Sequence, residues 1–265
     1  MAAEQSAGRG REPGATTVAL LVPCYVDLLA PQITLATRRV LERAGCRVRD
    51  DFGPGCCGQL HLNSGVRRDA ARLARAQLES LAGADVVVSP SASCISTIRR
   101  RYTELLPRLR EDAQRLCRSS FELGEFLVRE LGCPRLGSRF PHRVALLESC
   151  HGLRELGLGT RHEGSGECET RVTEQVLRTV DALELLRPRR PEECCGFGGS
   201  FSVKLPELSV RIGRSRLRAL AETGAEFMTA TDLSCLLHLD GLRRREGYGP
   251  RPIHLAEILA SGLAP

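Results

Sequence analysis

The chain has no tryptophan, only two methionines, and aromatic residues at 4% of its 265 positions. Surfaces that hold single-stranded nucleic acid are built on stacked rings, so that class of function is disfavoured, and sugar-stacking surfaces with it. Lysine is almost missing too: of 38 basic residues, Lys204 is the single lysine and the rest are arginine. A GC-rich coding bias produces such a ratio, and the formal charge of +6 is therefore no footprint of a bound polyanion. The stretches "RRRYTELLPRLR" and "RPRRPEE" mix their arginines with acids, as solvated faces do. No nucleic-acid partner is expected.

Long apolar runs are also lacking, and none approaches the ~18 residues of a membrane span. The opening "MAAEQSAGRGREPGATT" has no apolar core of a secretory signal. These absences predict a cytoplasmic protein with no membrane span, beginning in a disordered tail over residues 1–16. Also missing is a G-x-G-x-x-G that follows a strand and opens a helix, so neither a dinucleotide site nor a flavin site is supported.

What the chain does have is twelve cysteines. In a reducing compartment they are no disulfide framework, which leaves metal or redox chemistry. Eight of them recur in one plan. "TTVALLVPC" is an apolar strand running to Cys24, and "HRVALLESC" repeats it to Cys150. "GPGCCGQLHLNSG" sets Cys56 and Cys57 beside glycines, and "EECCGFGGSFSVK" does the same with Cys194 and Cys195. "ADVVVSPSASC" ends near Cys94, and "AEFMTATDLSC" near Cys235.

Between these strands lie helical stripes. Ile33, Ala36, Val40, Leu41 and Ala44 share one face, stopped by Gly45. Val172, Val176, Leu177 and Val180 mark another, and Val210, Gly213, Leu217 and Leu220 a third, closed by Gly224. A capping box at Ser119 and Glu122 predicts a helix running to Gly132. Strands alternating with helices predict an α/β fold of two pseudo-symmetric repeats, each a small parallel sheet flanked by helices. The first repeat is expected over 17–135 and the second over 142–265, with a Gly/Ser-rich loop inserted around 157–167.

Parallel strands point their carboxyl ends one way, and ligands bind in the crevice outside those ends. Four thiols per half therefore converge on one site in this reading, with glycines letting backbone amides face the sulfurs. Zinc usually takes cysteines two to four residues apart, and that spacing is absent here. An adjacent pair suits an iron–sulfur cluster better than a single tetrahedral ion. Zinc and a metal-free redox dithiol stand as alternatives. Cys46, Cys117, Cys133 and Cys168 occupy ordinary apolar or edge positions and are left out of the ligand set.

The doubled Cys…Cys-Cys-Gly…Cys pattern resembles the cysteine-rich CCG domain, which occurs twice in heterodisulfide reductase and in the iron–sulfur component of glycolate oxidase. The words "VPCYVDLLAPQ", "CCGQLHLNSG", "VSPSASC", "ESCHGLRELG" and "CCGFGGSFSVKLPELS" narrow the resemblance to the lactate utilization (LutA/YkgE) family. The resemblance covers nearly the whole chain. It implies an oxidoreductase subunit, an iron–sulfur electron carrier in a cytoplasmic complex oxidising L-lactate to pyruvate. Two sibling lactate utilization subunits would be its partners, one of them a ferredoxin-like iron–sulfur protein. It also implies Cys24, Cys56, Cys57, Cys94, Cys150, Cys194, Cys195 and Cys235 as cluster ligands. The alternatives are a dithiol or zinc-binding regulatory module, or an iron–sulfur subunit for glycolate or another 2-hydroxy acid. The broader CCG domain closes with C-x-x-C, whereas Ser91 and Asp232 stand at those places here. Four thiols per half favour a 4Fe-4S cubane in each half or in one of them. Asp232 is expected to cap the helix that follows it, with an oxygen ligand as the alternative.

Oxidation of a small 2-hydroxy acid would also need a base and a cation for the carboxylate. His61 and His151, near the thiols, and Lys204, the one compact point charge, are the weak catalytic candidates. His238 and His254 read as structural.

Overall fold

The computed structural model describes residues 16–49, 55–159 and 171–263. The tail expected over 1–16 (save Thr16), Cys168 and most of the loop expected around 157–167 lie outside the described residues.

Two four-stranded sheets are present, and every ladder in them is parallel. The first contains β1 (Thr17–Leu20), β2 (Arg47–Arg49), β3 (Val86–Ser89) and β4 (Ser120–Glu122), in the order β2-β1-β3-β4. The second contains β5 (Arg143–Leu146), β6 (Glu184–Leu186), β7 (Phe227–Ala230) and β8 (Arg251–His254), in the order β6-β5-β7-β8. The second sheet thus repeats the first strand for strand, as the duplicated sequence plan predicts.

Alternation along each strand decides what covers the sheets. Val18 and Leu20 of β1, Val86 and Val88 of β3, and Val144 and Leu146 of β5 all join one buried cluster. Their alternate neighbours turn away: Ala19 and Val87 into a second cluster, Ala145 into a third. The shared cluster is filled by helix Gln32–Arg43, helix Val172–Leu177 and helix Leu255–Leu259, together with Leu123, Phe126 and Leu127. Both sheets therefore lie against one middle layer of helices. Helices Arg67–Ser80 and Ala92–Leu105 cover the outside of the first sheet, and Pro206–Ala221 and Leu233–Glu246 that of the second. Full burial of one Val or Leu stabilises by about 1.5–3 kcal/mol, so neither inner face is left to water.

Two local expectations are corrected. The capping box falls at Glu122 and Glu125, not at Ser119 and Glu122, because Ser120–Glu122 pairs with β3 as a strand. Glu122 accepts from Glu125 N at 3.0 Å, and the helix starts only after it. Its counterpart is His254, which caps helix Leu255–Leu259 at the end of β8. The strands leading to Cys94 and Cys235 also stop earlier, at Ser89 and Ala230, and place those cysteines in the first turns of helices.

Candidate functional site

Every cysteine of the repeated plan lies beyond the carboxyl end of a strand. After β1 and β5, Cys24 opens helix Cys24–Leu29 and Cys150 precedes the turn His151–Glu155. After β3 and β7, Cys94 and Cys235 sit in the opening turns of Ala92–Leu105 and Leu233–Glu246. After β2 and β6, the adjacent pairs precede the short helices Gln59–Asn63 and Ser200–Lys204. All eight line one cavity of about 120 Å³ between the two sheets' carboxyl ends.

A glycine closes each adjacent pair. Gly58 (φ +84°) and Gly196 (φ +90°) are left-handed, a conformation that a Cβ disfavours. Space forbids a Cβ as well: at Gly196 it would sit 2.5 Å from Ser209 O, and at Gly58 3.0 Å from Ala70 O. Helices Pro206–Ala221 and Arg67–Ser80 press directly on the two turns. This geometry turns amides toward sulfur. Gly196 N donates to Cys194 Sγ at 3.3 Å. The same two-residue step brings Gly58 N–H to Cys56, Gln59 N–H to Cys57 and Phe197 N–H to Cys195.

The sulfurs meet as two pairs in the first repeat and as a chain of four in the second. Cys195 Sγ lies 2.9 Å from Cys235 Sγ, and Cys24 bonds Cys56, Cys57 bonds Cys94 and Cys150 bonds Cys194. Thiol donors from Cys150 and Cys195 bring Cys194 down to about 2, helped by Gly196 N–H. Cys24 brings Cys56 down to about 6, and Cys94 lowers Cys57. The donating partners Cys24, Cys94 and Cys150 are pushed up by those same bonds and by burial. Among the described residues, no three metal-binding side chains surround a single point as one ion would require. Paired thiols spread around a cavity instead match a polynuclear group, which takes ligands at several atoms.

Asp232 shows where sequence reasoning went astray. It stands at the N-cap of helix Leu233–Glu246 but makes no side-chain bond to that helix. Its Oδ1 instead accepts from Ser91 Oγ and Ser93 N, each at 3.0 Å, in the opposite half. The cap expected within one repeat is thus made between repeats, because the pseudo-symmetric packing brings the starts of both helices together.

The family model of the cysteine-rich CCG domain matches twice, over residues 18–99 and 144–240. Lactate utilization protein A of Halalkalibacterium halodurans is 36% identical over 245 residues, covering 91% of this chain and 96% of that protein. The chain belongs to the lactate utilization protein A family. The Bacillus subtilis member is 34% identical over 247 residues, covering 92% of this chain and 99% of the relative. A solved structure of a hypothetical protein from Helicobacter pylori shares the fold, with a TM-score of 0.53 at 14% identity. That alignment covers 99% of this chain, which spans about half (52%) of the other's length.

Of the other predicted site residues, His151 is in the cavity wall, its Nε2 accepting from Gln59 Nε2 at 2.8 Å. His61 is on helix Gln59–Asn63 but outside the wall, and Lys204 is exposed at the end of helix Ser200–Lys204 and also outside it. Cys46, Cys117 and Cys133 belong to apolar packing away from the cavity. His254 is buried and accepts from Ala256 N at 3.1 Å. Sequence reasoning missed Gln59 and the edge-on pair Tyr25–Phe197, 6.0 Å between centroids, in the wall. The position of Gln59, two after Cys57, was the available signal. Among the described residues, no arginine or lysine lines the cavity.

Proposed function

We infer that the chain is an iron–sulfur electron-transfer subunit serving oxidation of L-lactate to pyruvate. The observation that carries this reading is the single cavity walled by four thiols from each repeat. The donor set fits: sulfurs at several points, backbone N–H groups turned toward them, and apolar packing around them. Cys24, Cys56, Cys57 and Cys94 would hold the group in the repeat over 17–135, and Cys150, Cys194, Cys195 and Cys235 in that over 142–265. An iron–sulfur group, when bound, supplies one-electron chemistry. The protein's part is to orient the thiols, turn backbone N–H groups toward them and exclude water.

A wall built of thiols, with no cation among its described residues, supports a carrier over a site that binds the 2-hydroxy acid itself. Substrate carboxylates call for Arg or Lys. Lactate as the fuel rests on relatives named lactate utilization protein A; glycolate or another 2-hydroxy acid would leave the same thiols. Sibling subunits in a cytoplasmic complex complete the proposal. Among the described residues, no helix is long and apolar enough to cross a membrane.

Anaerobic purification with iron and acid-labile sulfide counted per chain tests this. About eight of each is the expectation for two four-iron groups. A colourless chain that binds only zinc, or nothing, would instead favour a dithiol switch, which the 2.9 Å approach of Cys195 to Cys235 also supports.

A further inference from the structure

Asp232 lines the cavity with the eight cysteines and is 2% exposed. Its Oδ1 is fully used by Ser91 and Ser93. Its Oδ2 is buried and has no hydrogen-bond partner. A carboxylate oxygen withdrawn from water without a partner is costly, and buried charges are normally paired or bound to metal.

Nothing among the described residues neutralises it. Asp232 makes no ion pair there, and the wall contains no arginine or lysine. His254 is near enough to feel its charge, but burial depresses that imidazole to about 4 and leaves it neutral. With Nδ1 committed to Ala256 N, the neutral ring offers only a dipole. Glu122 and Cys94, the other ionisable groups that sense Asp232, are an acid and a thiol and bring no positive charge.

We propose that Asp232 Oδ2 is a ninth donor, an oxygen ligand to the iron-containing group held by the thiols. The inference rests on the iron–sulfur reading and adds to it a ligand of a different class. Oδ1, meanwhile, braces the opening turn of helix Ala92–Leu105 that carries Cys94. One carboxylate therefore joins the metal group, the second repeat and the thiol turn of the first. Iron accepts hard oxygen donors alongside thiolates, so an iron that gained this oxygen in addition to its thiolate would be distinct from the others.

The test uses the full chain, reconstituted anaerobically, with Asp232→Asn and Asp232→Cys. Asparagine keeps an acceptor for Ser91 and Ser93 and removes the anionic donor. Cysteine offers a thiolate in its place. Iron and sulfide per chain, Mössbauer and paramagnetic spectra, and the melting temperature of the metal-free chain are measured. Asp232→Asn is expected to melt with the parent when metal-free, to lower the iron-to-sulfide ratio and to change the signal of one iron environment. Asp232→Cys is expected to restore the ratio with an altered spectrum. Unchanged ratio and spectra in both variants would overturn the ninth ligand while leaving the iron–sulfur reading intact. A parent chain that takes up no iron would overturn both.

Discussion

Cys195 and Cys235 are 40 residues apart in sequence, yet their sulfurs approach to 2.9 Å. Mild oxidation of the metal-free chain should therefore join these two first. Peptide mapping by mass spectrometry would detect the link, and prior loading with iron should suppress it. A first link between any other two cysteines would contradict the pairing.

Removal of single thiols should separate the ligand set from the remaining cysteines. Cys57→Ala and Cys195→Ala are expected to lower bound iron and lactate-dependent electron flow in the assembled complex. Cys46→Ala, in the middle apolar layer, should lose stability but keep its iron. Equal iron in Cys195→Ala and the parent would remove that thiol from the site.

Glycine substitutions should separate backbone strain from steric overlap. Gly65 (φ +80°) has open space around it, and Gly65→Ala should cost about 1–2 kcal/mol from the left-handed conformation alone. Gly196→Ala adds a Cβ 2.5 Å from Ser209 O and 2.9 Å from Gly213 N, for a further ~1–3 kcal/mol of overpacking. Denaturant unfolding of the metal-free chain measures both. Equal costs would mean that the helix yields freely to the turn.

Glu122 and His254 occupy equivalent places and should act oppositely with pH. Burial raises Glu122 from 4.5 to about 8, so its stabilising contribution is complete below 4.5 and is lost as pH rises through about 8. Burial lowers His254 from 6.5 to about 4, so its contribution is complete above 6.5 and is lost as pH falls through about 4. Each slope is at most about 1.4 kcal/mol per pH unit, and the two offset each other between 4.5 and 6.5. Glu122→Gln should unmask the histidine, with stability rising with pH across that interval. A variant curve with the same slope as the parent's would show that Glu122 makes no pH-dependent contribution to stability.

Lys204→Ala should leave iron content unchanged, because the side chain is exposed and outside the cavity wall. Loss of electron flow with full iron would place Lys204 at a contact with a partner instead.

Much of this architecture was legible in the residues. "TTVALLVPC" and "HRVALLESC" announced β1 and β5, and periodic apolar positions announced helix Gln32–Arg43. Convergence of the cysteines followed from the parallel-strand rule alone. What stayed hidden depended on contacts distant in sequence. "SFE" has no strand signature and pairs only because β3 lies beside it. The partners of Asp232 are 139 and 141 residues away, and local capping rules cannot reach across that separation. The common middle layer was equally out of reach, since alternation along a strand shows two buried faces but not which helices cover them.

That layer makes each half of the chain the cover of the other. A lone repeat would need a second copy of itself to cover Val18, Leu20, Val86 and Val88. Two identical subunits would be bound by symmetry to carry the same residue at matching places. Covalent fusion lifts that constraint, and the halves have used the freedom: serine faces aspartate at 91 and 232, and glutamate answers histidine at 122 and 254. The asymmetry is written into a frame whose two sheets otherwise repeat strand for strand.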